Sequence, residues 1–213
     1  MNRDALVLIG SPKGIEKSAS ARVSLVLTEP LETAGWSVKR LWLYDADEDE
    51  LLTSILSADL IILSSPLYFD SLPAPVIRRM EVVVEKRRRT PVEEKAPRFV
   101  SILNCGFVEP KHNETAQRIC RRFASRARFE WYGSISLGCA GAMRRRIRRG
   151  LIIAGEALSK GFPVPPKVKR LTKKPLIPRL AYIVGGNVTW RRIAKKNGLS
   201  KGDLLAQPYK PRP

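Results

Sequence analysis

Two short stretches carry side chains whose types and spacing suit a ligand. Residues 10–24 read GSPKGIEKSASARVS and follow the apolar run ALVLIG. A glycine ends that run, Lys13 and Lys17 bring charge, and Ser18 and Ser20 stand where a helix should open. Backbone N–H groups at a helix start, reinforced by hydroxyls and the helix dipole, form a cradle for phosphate. The spacing matches neither a Walker loop nor G-x-G-x-x-G. The competing reading is that Ser18 and Ser20 only cap the helix. Residues 64–75 read SSPLYFDSLPAP and follow DLIILS, with Tyr68 and Phe69 side by side between Pro66 and Pro73. Two rings and a turn's backbone polar groups suit a planar heterocycle, and the prolines lower the entropy lost on holding it. The plainer alternative plugs both aromatics into the core.

These loops need elements to place them. Apolar segments recur at Ala5–Gly10, Ser37–Leu43, Leu60–Ser64, Arg98–Leu103 and Trp131–Gly138. Helical patterns alternate with them at Ser20–Ala34, Glu50–Ser57, Pro75–Arg88, Asn113–Ala127 and Arg144–Lys160. The first and third strands are nearly continuous apolar runs, as in strands buried on both faces. The second and fourth alternate more, as strands nearer an edge would. Strand–helix alternation predicts an α/β fold, a parallel sheet with helices on both faces. In strand order 2-1-3-4-5 the crevice lies at the carboxyl ends of strands 1 and 3. The two loops then sit side by side.

Charge divides the chain unevenly. The net charge is +19, yet residues 1–76 hold 6 Lys+Arg against 11 Asp+Glu. Residues 77–162 hold 20 against 8, and residues 163–213 hold 13 against 1. Such a surface attracts polyanions, anionic lipid or phosphorylated ligands, or is simply a solvated face. The texture changes at Phe162, which predicts a domain over 1–162 and a basic, proline-rich extension over 163–213. Within the extension, Leu176–Val184 and Thr189–Asn197 read as short amphipathic pieces parted by Gly185-Gly186. An apolar stripe through Leu176, Ile177, Leu180, Ile183 and Val184 predicts short helices over Pro175–Asn197, packed on the core or a partner subunit. In that arrangement Arg191, Arg192, Lys195 and Lys196 face solvent. A peripheral membrane contact through Trp190 and the basic residues is the alternative. No apolar run is long enough for a bilayer span. The absence of an export-type leader predicts a cytoplasmic protein, and three cysteines without a CxxC predict no disulfide.

The motifs GSPKGIEKSAS, ADLIILSSPLYFDSLPAPVI and LNCGFVEPKHNETA resemble the NAD(P)H-dependent FMN reductase and flavodoxin-like oxidoreductase family. The resemblance covers roughly residues 5–160. It implies a flavodoxin-like, three-layer, doubly wound fold and FMN as cofactor. It also implies that Ser11, Lys13, Ser18 and Ser20 hold the FMN phosphate. Pro66, Leu67, Tyr68 and Phe69 would flank the isoalloxazine ring, and Asn104, Cys105, Gly106 and Phe107 would give backbone contacts to its pyrimidine side. N–H groups aimed near N1 stabilise the charge of reduced flavin. NAD(P)H would then reduce the flavin, with a second flavin, a quinone or another small acceptor taking the electrons. The family's members are commonly dimers or tetramers, so the resemblance implies a homo-oligomer, with a homodimer as the expectation. The chain departs from the pattern in three places. Lys17-Ser18 stands where an Asn-Thr pair is common, Asp70 where many members have glycine, and the turn after strand 4 keeps only Gly106.

No side chain is expected to act as acid or base, because the cofactor does the chemistry. Cys105 reads as a small buried residue against a redox-active thiol. His112, just before the Asn113 helix cap, reads as a loop histidine against a proton donor to a quinone. Asn113-Glu114-Thr115 matches a glycosylation sequon but has no export signal before it. The acidic Asp45–Glu50 stretch suits a helix N-terminus better than a metal, so no metal is expected. Two rival functions remain. A flavodoxin-type electron carrier uses the same fold but is commonly acidic at its contact face. A non-catalytic basic binding protein would use the runs Lys86–Arg89 and Arg144–Arg149, yet nucleic acid is disfavoured because no stacking platform accompanies them.

Overall fold

Leu6 and Leu8 of the first strand point to one side of a sheet, while Ala5, Val7 and Ile9 point to the other. Both sets are buried, so this strand has helices on both faces. The computed structural model describes residues 3–89, 96–139, 142–175 and 177–206. They divide into a unit ending at Leu176 and a second beginning at Ile177. In the first, strands β1 (Arg3–Ile9), β2 (Trp36–Trp42), β3 (Leu60–Pro66), β4 (Arg98–Asn104) and β5 (Glu130–Leu137) form one sheet. All neighbours are parallel and the order is β2-β1-β3-β4-β5, as expected.

The helices are α1 (Gly14–Lys17), α2 (Ala19–Thr33), α3 (Glu48–Ser57), α4 (Ala74–Arg89), α5 (Glu114–Arg126), α6 (Arg145–Ser159) and α7 (Pro166–Lys173). On one face, Leu51 and Ile55 of α3, Val76 and Met80 of α4 and Phe123 of α5 meet Leu63, Phe99 and Leu103. On the other, Leu27 and Leu31 of α2 and Leu151 and Leu158 of α6 meet Ile62, Val100 and Ile102. Gly155 lets α6 reach α2. A Cβ there would collide with the Leu27 carbonyl oxygen and come within 3.0 Å of the Pro30 ring.

Three expectations change. β4 is second from the edge, between β3 and the edge strand β5, but it is buried throughout rather than on one face. Its alternation reflects polar groups with internal partners. Arg98 stacks over Trp36 and Tyr132, and Ser101 donates to Ser134 Oγ at 2.7 Å. Second, the compact unit does not stop at residue 162. α7 buries Val168 and Thr172, and Arg146 donates to the carbonyls of Leu171 (3.1 Å), Lys174 and Pro175 (2.7 Å). Third, Asn113 is no cap: it ends a 3-10 turn, Pro110–Asn113, and its amide donates to the carbonyls of Pro110 and Leu137. The acids of Asp45–Glu50 behave as read, with Asp47 capping α3 through the amides of Asp49 and Glu50.

The second unit holds α8 (Arg179–Lys196) and α9 (Lys201–Leu205). α8 runs unbroken through Gly185-Gly186, because each interior glycine costs only about 1 kcal/mol against alanine. Leu180, Val184 and Trp190 are exposed, as are the four basic residues of its last turns. Leu176 and the stretch 207–213 lie outside the described residues. Among the described residues no helix is long and apolar enough to cross a membrane.

Two alanine substitutions should therefore have opposite signs. Gly155→Ala overpacks the α2–α6 contact and should lower stability by about 1–3 kcal/mol. Gly185→Ala, with nothing within 4 Å of the new Cβ, should raise helicity and local stability by up to about 1 kcal/mol. Urea denaturation followed by circular dichroism reads both.

Candidate functional site

Register fixes which loops meet. Ile9 pairs with Ser64, and Pro66 pairs with Asn104, so the carboxyl ends of β1, β3 and β4 lie in a row. Asn104 is 2% exposed and joins the three loops that follow. Its Nδ2 donates to Ser20 Oγ (2.9 Å) and to the Ser65 carbonyl (3.2 Å), and its own carbonyl accepts from the Leu67 amide (2.8 Å). Ser64 Oγ adds a bond to the Ser20 carbonyl at 2.8 Å. Sequence reading gave Asn104 a backbone role and missed this amide, because its partners, Ser20 in α2 and Ser65 in β3, are far away along the chain.

The first loop spends its hydroxyls inward. Ser18 and Ser20 are fully buried, and Ser18 caps α2 by accepting from the Ala21 amide at 3.0 Å. Ser11 is also buried, with Oγ accepting from the Lys13 amide (3.3 Å) and its carbonyl from Trp42 Nε1 (2.8 Å). The outward-facing features are the exposed side chains of Lys13 and Lys17, which precede the start of α2. Gly10 is required where it stands, because a Cβ would come within 2.8 Å of Ser65 Oγ and Val76 Cγ2.

The second loop forms a two-residue hairpin. The Tyr68 and Ser71 amides and carbonyls bond each other at 2.9 and 3.1 Å, with Phe69 (φ 49°) and Asp70 (φ 58°) at the tip. Positive φ at both tip residues is a type I′ turn, which prefers Asn-Gly. Phe69 in that conformation is strained, and strain of this kind gathers at functional sites. Its ring is fully exposed and Tyr68 is 43% exposed, so neither plugs the core. Pro66 and Leu67 are half-buried beneath them.

In the third loop, Cys105 is buried, and its thiol faces the carbonyls of Phe107, Leu137 and Glu109 at 3.7–3.8 Å. Burial pushes that thiol above its ordinary range, so it stays neutral and poorly nucleophilic. A Cβ on Gly106 would meet nothing within 4 Å. Phe107 is 46% exposed and stacks on His112 with ring centres 4.3 Å apart. His112 lies 3.9 Å from Glu109, three residues before it, and 4.0 Å from Asp70, a carboxylate of the second loop that its sequence neighbourhood did not reveal. The loop after β5 also joins this end of the sheet. The Cys139 amide donates to the Phe107 carbonyl at 2.6 Å, and Arg22, Asn104, Cys139 and Met143 help line a cavity of about 160 Å³.

No protein-family model and no curated protein matches this sequence. Solved structures do. A flavodoxin, WrbA-like protein from Agrobacterium tumefaciens has TM-score 0.59 and 14% identity, over 75% of this chain and 97% of its own. An FMN-dependent NADH-azoreductase from Bacillus anthracis, solved with FMN, has TM-score 0.54 and 12% identity, over 81% and 100%. Rubredoxin oxygen:oxidoreductase from Desulfovibrio gigas has TM-score 0.56 and 12% identity, over 80% of this chain. This chain spans only 37% of that larger one. The chain has the flavodoxin-like fold. In a flavodoxin-like sheet the three loops tied by Asn104 lie at the topological switch point, the crevice where doubly wound folds hold ligands.

Asp70→Gly removes the left-handed strain from one tip residue, and the exposed contact to His112 contributes little against it. The variant should be more stable by about 1 kcal/mol in urea denaturation. A net loss of stability would mean that the Asp70–His112 contact outweighs the strain.

Proposed function

We propose that this chain is an FMN-dependent oxidoreductase that takes hydride from a nicotinamide donor and passes electrons to a flavin, quinone or other small acceptor. The observation that carries the reading is the juxtaposition at the switch point. A buried amide locks three loops whose outward features are a cationic helix start and three exposed rings, Tyr68, Phe69 and Phe107.

The residues fit FMN, with one change of role. Ser18 and Ser20 hydroxyls are already used inside the protein, so the α2 N-terminus, Lys13 and Lys17 would hold the phosphate. Tyr68 and Phe69 would bracket the ring, and the open face at Gly106 leaves room for its edge. FMN, when bound, supplies the hydride chemistry. The protein's part is positional: Asn104 sets the loop spacing, and the strained Phe69–Asp70 turn holds a ring in place before any ligand arrives. His112 lies between Asp70 and Glu109 at the mouth of the site. The reading includes a homodimer, and the groove of about 430 Å³ between α4 and α5, with Ile77, Val84 and Ile119 among its lining, is the surface a second copy would use.

The electron carrier is the rival reading, because flavodoxins share the fold. One experiment separates the two. The purified full chain, mixed with FMN and freed of excess, should keep a visible flavin spectrum. Anaerobic NADH or NADPH should then bleach it without any partner reductase. Bound flavin that bleaches only with a partner points to the carrier, and a chain that retains no FMN overturns the flavin reading.

A further inference from the structure

The free edge of the sheet carries a second concave surface, away from the three loops. A cavity of about 350 Å³ opens between β5, α5 and α7. Lys111, Arg118, Arg121, Lys169 and Lys173 line it, against a single carboxylate, Glu114. Arg118 and Arg121 are three apart on α5, and Lys169 and Lys173 four apart on α7, so each pair shares one helix face. Like charges at those spacings oppose helix formation. None of the five is in an ion pair with a described carboxylate.

The floor of the cavity is built by an irregularity in β5. Trp131 pairs with Phe99 and Gly133 with Val100, so Tyr132 is an extra residue in the strand. The bulge shifts the alternation and brings Trp131 onto the same side as Ser134 and Ser136. All three line the cavity. Ser134 Oγ and Ser101 Oγ are hydrogen-bonded at 2.7 Å, and Ser136 Oγ accepts from Gln117 Nε2. The Ser136 hydroxyl therefore keeps its own O–H to donate. Five cations and this hydroxyl donor make a lining complementary to an acceptor-rich anion.

We propose that this edge cavity binds a nucleoside diphosphate group. The two cationic rows match a pyrophosphate better than a single phosphate, because one carboxylate leaves most of the charge uncompensated. Glu114 is the acceptor for sugar hydroxyls, and Trp131 offers an aromatic surface to the base. The volume lies at the small-molecule end of the pocket range. A nucleic-acid strand would instead need an extended groove with repeated stacking residues.

Calorimetry with ADP on the full chain, at low salt and with FMN saturating, tests this. One saturable ADP site is expected, weakened by added salt. Arg121→Gln with Lys173→Gln should weaken ADP by at least about tenfold, a step of ~1.4 kcal/mol, with thermal stability and FMN affinity unchanged. Trp131→Leu should weaken ADP more than inorganic pyrophosphate. The proposal is overturned by no ADP binding, by equal binding to the double variant, or by displacement of ADP by FMN. Displacement of ADP by a duplex oligonucleotide that binds more tightly would likewise overturn it, in favour of a nucleic-acid surface.

Discussion

The Asn104 side chain makes two hydrogen bonds that the rest of the site depends on. Its amide sits where β4 ends and donates to Ser20 in the first turn of α2 and to the Ser65 carbonyl at the end of β3. A buried amide without partners costs about 1–3 kcal/mol, so the loops are held at a spacing that satisfies it. Parallel pairing supplies the other half of the constraint. Because β1, β3 and β4 run the same way, their carboxyl ends share one edge, and only there can Ser20, Ser65 and Asn104 meet. The exposed rings of Tyr68, Phe69 and Phe107 are the consequence: the interior beneath them is filled by Pro66, Leu67 and Cys105.

Charge follows a different logic from packing. The acidic first third of the chain holds Lys13 and Lys17, while the cations gather on α4 to α7 and in the second unit. Some of these have structural work. Arg98 lies over two aromatic rings, Arg146 secures the end of α7, and Arg87 lies over Phe129. Those facing the β5 edge do not, and that contrast separates a binding surface from a merely basic one.

Much of the architecture was legible in the sequence. The continuous apolar runs at Ala5–Gly10 and Leu60–Ser64 marked central strands, and the boundaries of α2 to α6 fell within two residues of the observed ones. β4 misled because Ser101 and Arg98 break its apolar run, although both are satisfied by neighbours far along the chain. Gly185-Gly186 read as a break because glycine punctuates local structure, yet two glycines are tolerated in a helix of 18 residues. At the site, the loops were legible from Ser, Lys and aromatic content. The roles of Ser18 and Ser20 were not, because a hydroxyl at a helix start serves a cap or a ligand with the same residue type. The type I′ turn was hidden too, since Phe-Asp carries none of the glycine or asparagine that marks such turns.

The central claim is that Asn104 organises a flavin cradle. Titrating FMN against wild type and Asn104→Ala, with flavin fluorescence as the signal, tests it most directly. The account predicts quenching by wild type as the aromatic loops close on the ring, and affinity weakened at least about tenfold in a variant that remains folded. Equal affinity in the two proteins would contradict it.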